Sequence, residues 1–246
     1  MIVRDRRLRW PIAADLEAAV RNQEVLSVDR RAKYILIRLK RGTLILHLGM
    51  SGSLRLIRGG TPPKAHDHWD LVLDSGLALR FHDPRRFGSL HFTEDDPAKH
   101  ALLKKLAPEP LSQEFNGEYV FKATRRRLIH IKQLIMNSQI VVGVGNIYAS
   151  EALFRARISP RRAAGRITRT EAEKLAKAIK AVLTAAIKIG GTTLRDYVNA
   201  DGAPGYFRQK LFVYERAKLA CRVCKSPVKQ FTQGQRSTYW CSNCQR

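Results

Sequence analysis

Tyr34-Ile35-Leu36-Ile37-Arg38-Leu39-Lys40-Arg41-Gly42-Thr43-Leu44-Ile45-Leu46-His47-Leu48 decides the fold of the first half of the chain. Two apolar runs of strand length flank Lys40-Arg41-Gly42, a hairpin signal. Asp70-Leu71-Val72-Leu73-Asp74 and Leu77-Ala78-Leu79-Arg80-Phe81 repeat the arrangement around Ser75-Gly76. Short strands joined by tight turns predict an antiparallel sandwich or barrel. A short helix is expected over residues 12–20, after Pro11.

Outward from this block the periodicity changes. Residues 98–106 have a helical apolar spacing that runs into Pro108-Glu109-Pro110, a plausible hinge. A long helix is expected over 118–136, with Arg125-Arg126-Arg127 on it, and a shorter one over 146–154. The strongest signal is a helix over 170–189. Thr170-Glu171-Ala172-Glu173 reads as a capping box, which satisfies free N–H groups at a helix start. Leu175, Ile179, Val182, Leu183, Ala186 and Ile187 line one face, and Gly190-Gly191 ends it. Leu211-Phe212-Val213-Tyr214 is expected to open a small β-rich terminal unit.

The 246 residues carry 45 Lys+Arg against 21 Asp+Glu, a formal net charge of +24. The excess is concentrated late: residues 121–246 hold 25 basic and 6 acidic side chains. Such a surface calls for a polyanion, and nucleic acid is the commonest one. A hydrophobic fraction of 44% excludes a disordered polyelectrolyte. No basic amphipathic anchor and no apolar run of membrane-spanning length is present, so no membrane partner is expected. The opening Met1-Ile2-Val3-Arg4-Asp5-Arg6-Arg7 lacks the apolar region of a signal peptide.

All four cysteines lie near the end, as Cys221-x2-Cys224 and Cys241-x2-Cys244, 16 residues apart. Two such knuckles complete a tetrahedral site for one Zn²⁺, and four protein ligands leave no open position, so the zinc is structural. Redox pairs or disulfides are the alternative, but the thioredoxin-like context is lacking. Between the knuckles, Gln233-Gly234-Gln235-Arg236-Ser237-Thr238 reads as a hairpin tip that presents Arg236.

Four further segments belong with the ribbon: Arg30-Arg31-Ala32-Lys33-Tyr34, Leu48-Gly49-Met50-Ser51-Gly52-Ser53-Leu54, Asp83-Pro84-Arg85-Arg86-Phe87-Gly88, and Val142-Gly143-Val144-Gly145-Asn146-Ile147-Tyr148-Ala149-Ser150-Glu151. In this order they resemble the bacterial formamidopyrimidine-DNA glycosylase family, enzymes that excise oxidised purines by base flipping. The resemblance runs from about Val3 to the end. It implies an α+β fold: an N-terminal antiparallel β-sandwich over 1–107, a helix–two-turn–helix domain over 108–205, and a four-cysteine zinc ribbon over 206–246. It also implies residue roles. Met50, Arg85 and Phe87 would fill the gap left by the flipped base. His66, Arg127 and Asn146 would contact the DNA backbone. Lys33 and Arg236 would transfer protons in β- and δ-elimination, Arg236 also touching the phosphate held by Asn146. Residues 192–206 match the loop that closes over the lesion. The partner would be double-stranded DNA with oxidised purines, the protein a monomer in the bacterial cytoplasm at the nucleoid.

One departure matters. The family's nucleophile is an N-terminal proline within a Pro-Glu-Leu-Pro-Glu opening, whose free secondary amine attacks the sugar. Met1-Ile2-Val3-Arg4 aligns instead about two dozen residues into the first domain. Pro11 is no substitute, because its nitrogen is in an amide. The sandwich is therefore expected to be truncated, without its first helix and strand, leaving apolar surface and a sheet edge uncovered. The chain as written is expected to have little or no glycosylase activity, either through a start assigned too late, the favoured explanation, or as a zinc-dependent damaged-DNA-binding protein without catalysis.

Overall fold

The structure, a computed structural model, describes residues 1–190 and 211–246, so the expected lesion-closing loop lies outside the described residues. Two compact units emerge, one over Met1–Lys104 and one joining Lys105–Gly190 to the C-terminal part of the chain.

The first unit is a sandwich of two antiparallel sheets. One has the order β2-β3-β4-β8, from Val25–Arg31, Tyr34–Leu39, Thr43–His47 and Ser89–Thr93. The other is β1-β6-β7-β5, from Ile2–Val3, Asp67–Val72, Leu77–His82 and Ser53–Arg58. The opening hairpin forms as its pattern predicts, pairing Tyr34 with His47 and Arg38 with Thr43. Alternation along the strands sends Ile37, Leu39, Leu44, Leu46 and Leu90 from one sheet against Trp69, Leu71 and Phe81 from the other. Trp69 and Phe81 stack with ring centroids 5.3 Å apart. Edge strand β2 leaves Val25, Leu26 and Val28 exposed, and Ile2 is exposed on edge strand β1.

Two helices expected here are shorter than their patterns. The first is a single turn, α1 over Leu16–Ala19. The Arg6 guanidinium takes the carbonyls of Ile12 and Ala13 and the carboxylate of Glu17, which holds the preceding residues outside the helix. The stretch over 98–106 is broken at His100, where the 3₁₀ turn Pro97–Lys99 ends and a separate turn begins, the His100 carbonyl accepting Leu103 and Lys104 N–H at 2.9 Å.

The second unit is helical with a hairpin: α2 Gly117–Thr124, α3 Ile131–Ile135, α4 Asn146–Ala156, α5 Arg169–Lys188, β9 Lys229–Gln233 and β10 Arg236–Trp240. The single long helix expected over 118–136 is thus two helices. Arg126 adopts φ +56°, and the Arg127 carbonyl accepts from Gly165 N–H at 2.8 Å instead of from its own helix. The Arg125-Arg126-Arg127 run is accordingly not helical. The last long helix starts one residue earlier than expected: Thr168, not Thr170, is its N-cap, with Glu171 closing the capping box. Leu175, Ile179, Val182, Leu183 and Ala186 enter the core, packing with Val120, Ile131, Leu134, Ala149 and Leu153. Ile187, expected on that face, is 67% exposed, so the buried stripe ends at Ala186. Leu211–Tyr214 does not form a strand. The N–H groups of Phe212, Val213 and Tyr214 donate instead to the buried Glu151 carboxylate of α4, at 2.9–3.0 Å. Among the described residues no helix is long and apolar enough to cross a membrane.

Candidate nucleic-acid interface and metal centre

In the first unit, the candidate residues gather where β4 and β7 end. The turn after β4 needs glycine at position 49. Its φ is +70°, and a Cβ there would lie 2.6 Å from the Gly88 nitrogen and the Phe87 carbonyl carbon. Only a bare backbone lets this turn rest on the loop that follows β7. One carboxylate then fastens both. Asp83, fully buried, accepts from Ser51 Oγ–H at 2.7 Å and from Gly88 N–H at 2.8 Å, with Arg85 N–H at 3.3 Å. The tips point outward: Met50 is 64% and Phe87 44% exposed, and the Arg85 guanidinium lies 4.8 Å from the Phe87 ring centroid. Two apolar side chains and a fan of N–H donors therefore stand on a rigid base.

Lys33 is exposed in the turn between β2 and β3, next to Ala32 in the left-handed region. His47, on the neighbouring strand end, ties it to the Met50 turn. Its Nδ1 accepts from Gly49 N–H at 2.9 Å. Burial, then the charges of Lys33 and Arg9, hold the His47 imidazole below its ordinary pKa and so in the neutral form that this bond requires. His66 is exposed just before β6, and its carbonyl accepts Asp83 N–H at 3.0 Å. Lys33, Met50, His66, Arg85 and Phe87 thus belong to one connected rim.

In the second unit, α3 and α4 flank a turn with Gly143 at φ +80° and Gly145 as the extended N-cap of α4. Asn146 opens α4, and its Nδ2 donates to the Ser237 carbonyl at 2.9 Å, one residue from Arg236. Between them lies Lys132, 1% exposed, a residue that sequence reasoning did not single out. Its Nζ donates to Asn146 Oδ1 at 2.6 Å, Thr238 Oγ1 at 2.7 Å and the Ser237 carbonyl at 3.2 Å. None of these acceptors is charged. Burial, and then the charge of Arg236, push the Lys132 ammonium down to about 8. Lys132 and Arg236 share a cavity of about 170 Å³ with Gln133, Met136, Asn137, Gln233 and Gly234. Two cations facing one cavity without a counter-charge form a seat for an anion. Arg236 itself is exposed at the start of β10, beyond the turn made by Gly234 and Gln235, both at positive φ. Arg127 is exposed between α2 and α3, and its side chain joins none of these contacts among the described residues.

The four cysteines converge. Their sulfurs lie within 4.8 Å of one another, with Cys224 and Cys241 3.4 Å apart and Cys221 and Cys244 3.9 Å apart. Sulfurs bound tetrahedrally to an ion at about 2.3 Å stand about 3.8 Å from each other, so one metal ion fits. Burial and the neighbouring thiols push the Cys244 thiol up to about 12, and a cation at the centre would displace such protons.

Comparison with known proteins agrees with this geometry. Residues 1–90 match the model of the formamidopyrimidine-DNA glycosylase N-terminal domain, and residues 106–198 that of the formamidopyrimidine-DNA glycosylase H2TH domain. The chain is 56% identical over its whole length to the formamidopyrimidine-DNA glycosylase of Thioalkalivibrio sulfidiphilus and 54% identical to that of Pseudomonas putida W619, spanning 91% of each. Among solved structures it is similar to MutM (Fpg) of Thermus thermophilus, with a TM-score of 0.85 at 40% identity, covering 93% of this chain and 85% of that one. It also matches Lactococcus lactis Fpg in complex with DNA containing an abasic site, with a TM-score of 0.90 at 27% identity, covering 100% of this chain and 90% of that one. Matches to both family domains and identities above one half over the full chain lead to one conclusion: the chain belongs to the formamidopyrimidine-DNA glycosylase family.

Proposed function

We propose that the protein works in base-excision repair, as a glycosylase and abasic-site lyase on duplex DNA with oxidised purines. The observation that carries this reading is the rim on Asp83. A base swung out of the stack leaves a gap, and opening it costs a few kcal/mol that protein side chains must offset. Met50 and Phe87 offer apolar surface for the gap, and Arg85 offers donors to the orphaned base. Lys33, on the same rim, is the proton donor for β-elimination, and Arg236 the donor for δ-elimination. His66, Arg127 and Asn146 grip the backbone, with Lys132 completing the phosphate seat beside Asn146. The metal is one Zn²⁺, and it supplies no chemistry beyond holding the hairpin that carries Arg236. The protein acts as a monomer in the bacterial cytoplasm, on nucleoid DNA. The domain limits that suit this reading are 1–107, 108–205 and 206–246.

Excision itself needs an amine nucleophile, which the family draws from an N-terminal proline. The protein is expected to bind a duplex with an abasic-site analogue more tightly than an undamaged one. Equal affinity for damaged and undamaged duplexes sinks the repair reading.

A further inference from the structure

Side chains of β5, β6 and β7 that face away from the sandwich core build a charged ladder. Arg80 donates to both oxygens of Asp70 at 2.8 Å, and Arg4 adds a bond to Asp70 Oδ2 at 2.5 Å. Arg80 also donates to the carbonyls of Thr61 at 2.7 Å and Pro62 at 3.0 Å. Asp67 Oδ2 accepts Lys64 N–H at 2.8 Å. The segment leading to His66 is thereby pinned to the sheet. At the end of the ladder, His82 Nδ1–H donates to the buried Asp67 Oδ1 at 2.9 Å. The His82 ring lies edge-on to the ring of His66, with centroids 6.1 Å apart. Among the described residues His82 Nε2 has no hydrogen-bond partner, and the side chain is 24% exposed.

We propose that His66 and His82 hold one backbone phosphate of the DNA between them, His82 bridging that phosphate and the Asp67 carboxylate. The proposal rests on the DNA-repair reading above. Two donors, each about 2.8 Å from a different oxygen of one phosphate, stand about 5–6 Å apart, and rings with centroids 6.1 Å apart are close enough for one nitrogen of each to reach the same phosphate. The proton balance is explicit. A carboxylate has nothing to donate, so the bond to Asp67 requires a proton on His82 Nδ1. A bond from Nε2 to phosphate requires a second proton, so His82 binds as an imidazolium. The groups around it suit this. Asp67 from β6 faces it directly, while Arg80 from β7, 3.4 Å from Asp67 Oδ2, and Arg55 from β5, 3.8 Å from Asp67 Oδ1, balance that carboxylate. His66 and Lys64 approach from the preceding turn, and the adjacent Asp83 carboxylate is turned toward Ser51 and Gly88.

The test is fluorescence anisotropy with a duplex holding a tetrahydrofuran abasic analogue, at pH 6 and pH 8, across a potassium chloride series. The proteins are the 246-residue chain, His82→Gln, His66→Gln and the double variant, with melting curves to check folding. His82→Gln is expected to lose roughly 3- to 10-fold in affinity at pH 6 and under about 2-fold at pH 8. At pH 6 the slope of log K against log salt should fall by less than one step of about 0.9 in each single variant and by about one step in the double variant, since one phosphate is shared. Equal loss at both pH values would assign His82 a merely structural role and overturn the proposal. So would no loss at all, or a double variant whose slope falls by about two steps. Failure of the unmodified protein to bind any duplex would instead sink the repair reading, and the proposal with it.

Discussion

Lys132 offers the sharpest test, because its burial has a thermodynamic signature that does not depend on DNA. Its ammonium falls from 10.5 to about 8 in the folded protein. At about 1.36 kcal/mol per unit, keeping this charge costs the fold on the order of 3 kcal/mol. The sign follows from where the proton sits. Below pH 8 both folded and unfolded chains are protonated, and the cost is fully present. Between pH 8 and 10.5 the unfolded chain binds the extra proton, so stability rises as pH climbs through that window. Lys132→Met removes the titration. At neutral pH the variant recovers the charge cost but strands Asn146 Oδ1 and Thr238 Oγ1, at about 1–3 kcal/mol each, so its net stability stays near that of the parent. The assay is guanidinium unfolding of zinc-loaded protein followed by far-ultraviolet circular dichroism, which α2 to α5 dominate. Parent stability should gain about 2 kcal/mol on the variant between pH 8 and 10. DNA affinity of the variant should drop roughly 10- to 100-fold at neutral pH, as a phosphate loses a charged donor. Parallel stability curves for the two proteins would refute the account of Lys132 as an unbalanced buried cation.

Three other perturbations have defined outcomes. Glu151→Ala leaves three N–H groups at residues 212–214 without an acceptor and should destabilise the second unit by about 3–5 kcal/mol, read as a lower melting temperature. Gly49→Ala forces a Cβ into the Phe87-Gly88 backbone at positive φ. It should cost about 2 kcal/mol or more and abolish preference for damaged duplex in a binding assay, with undamaged-duplex affinity nearly unchanged. Zinc chelation or Cys241→Ser should strongly weaken duplex binding, because the hairpin positions Arg236 and supplies the Ser237 and Thr238 partners of Lys132; unaltered affinity in the metal-free protein would count against this.

What the sequence made legible was local. The hairpin of β3 and β4 is readable because its apolar runs and its turn lie within fifteen residues. The cysteine spacing is readable because each knuckle is four residues long. The loops around Met50 and Phe87 were located through resemblance to a family, since exposure at a tip leaves no periodic trace. What stayed hidden was long-range or degenerate. Thr168 and Thr170 each have a glutamate three residues on, so the capping pattern fits twice, and only the fold chooses Thr168. The break after α2 depends on Gly165, nearly forty residues downstream of Arg127. Lys132 meets partners more than a hundred residues away, and nothing in Ile131-Lys132-Gln133 marks it as buried.

The Asp83 bracket has a consequence for how such a surface changes over time. The bonds that hold the two loops run through Ser51, Asp83 and the backbone of Gly88, none of which faces outward. Met50, Arg85 and Phe87 hang from that bracket with little share in its stability. Residues at these three positions are therefore exchangeable at small cost to folding, while the scaffold beneath them stays put. A library randomised at 50, 85 and 87 alone would yield mostly folded proteins, whereas one that also varied 51 and 83 would yield mostly collapsed ones.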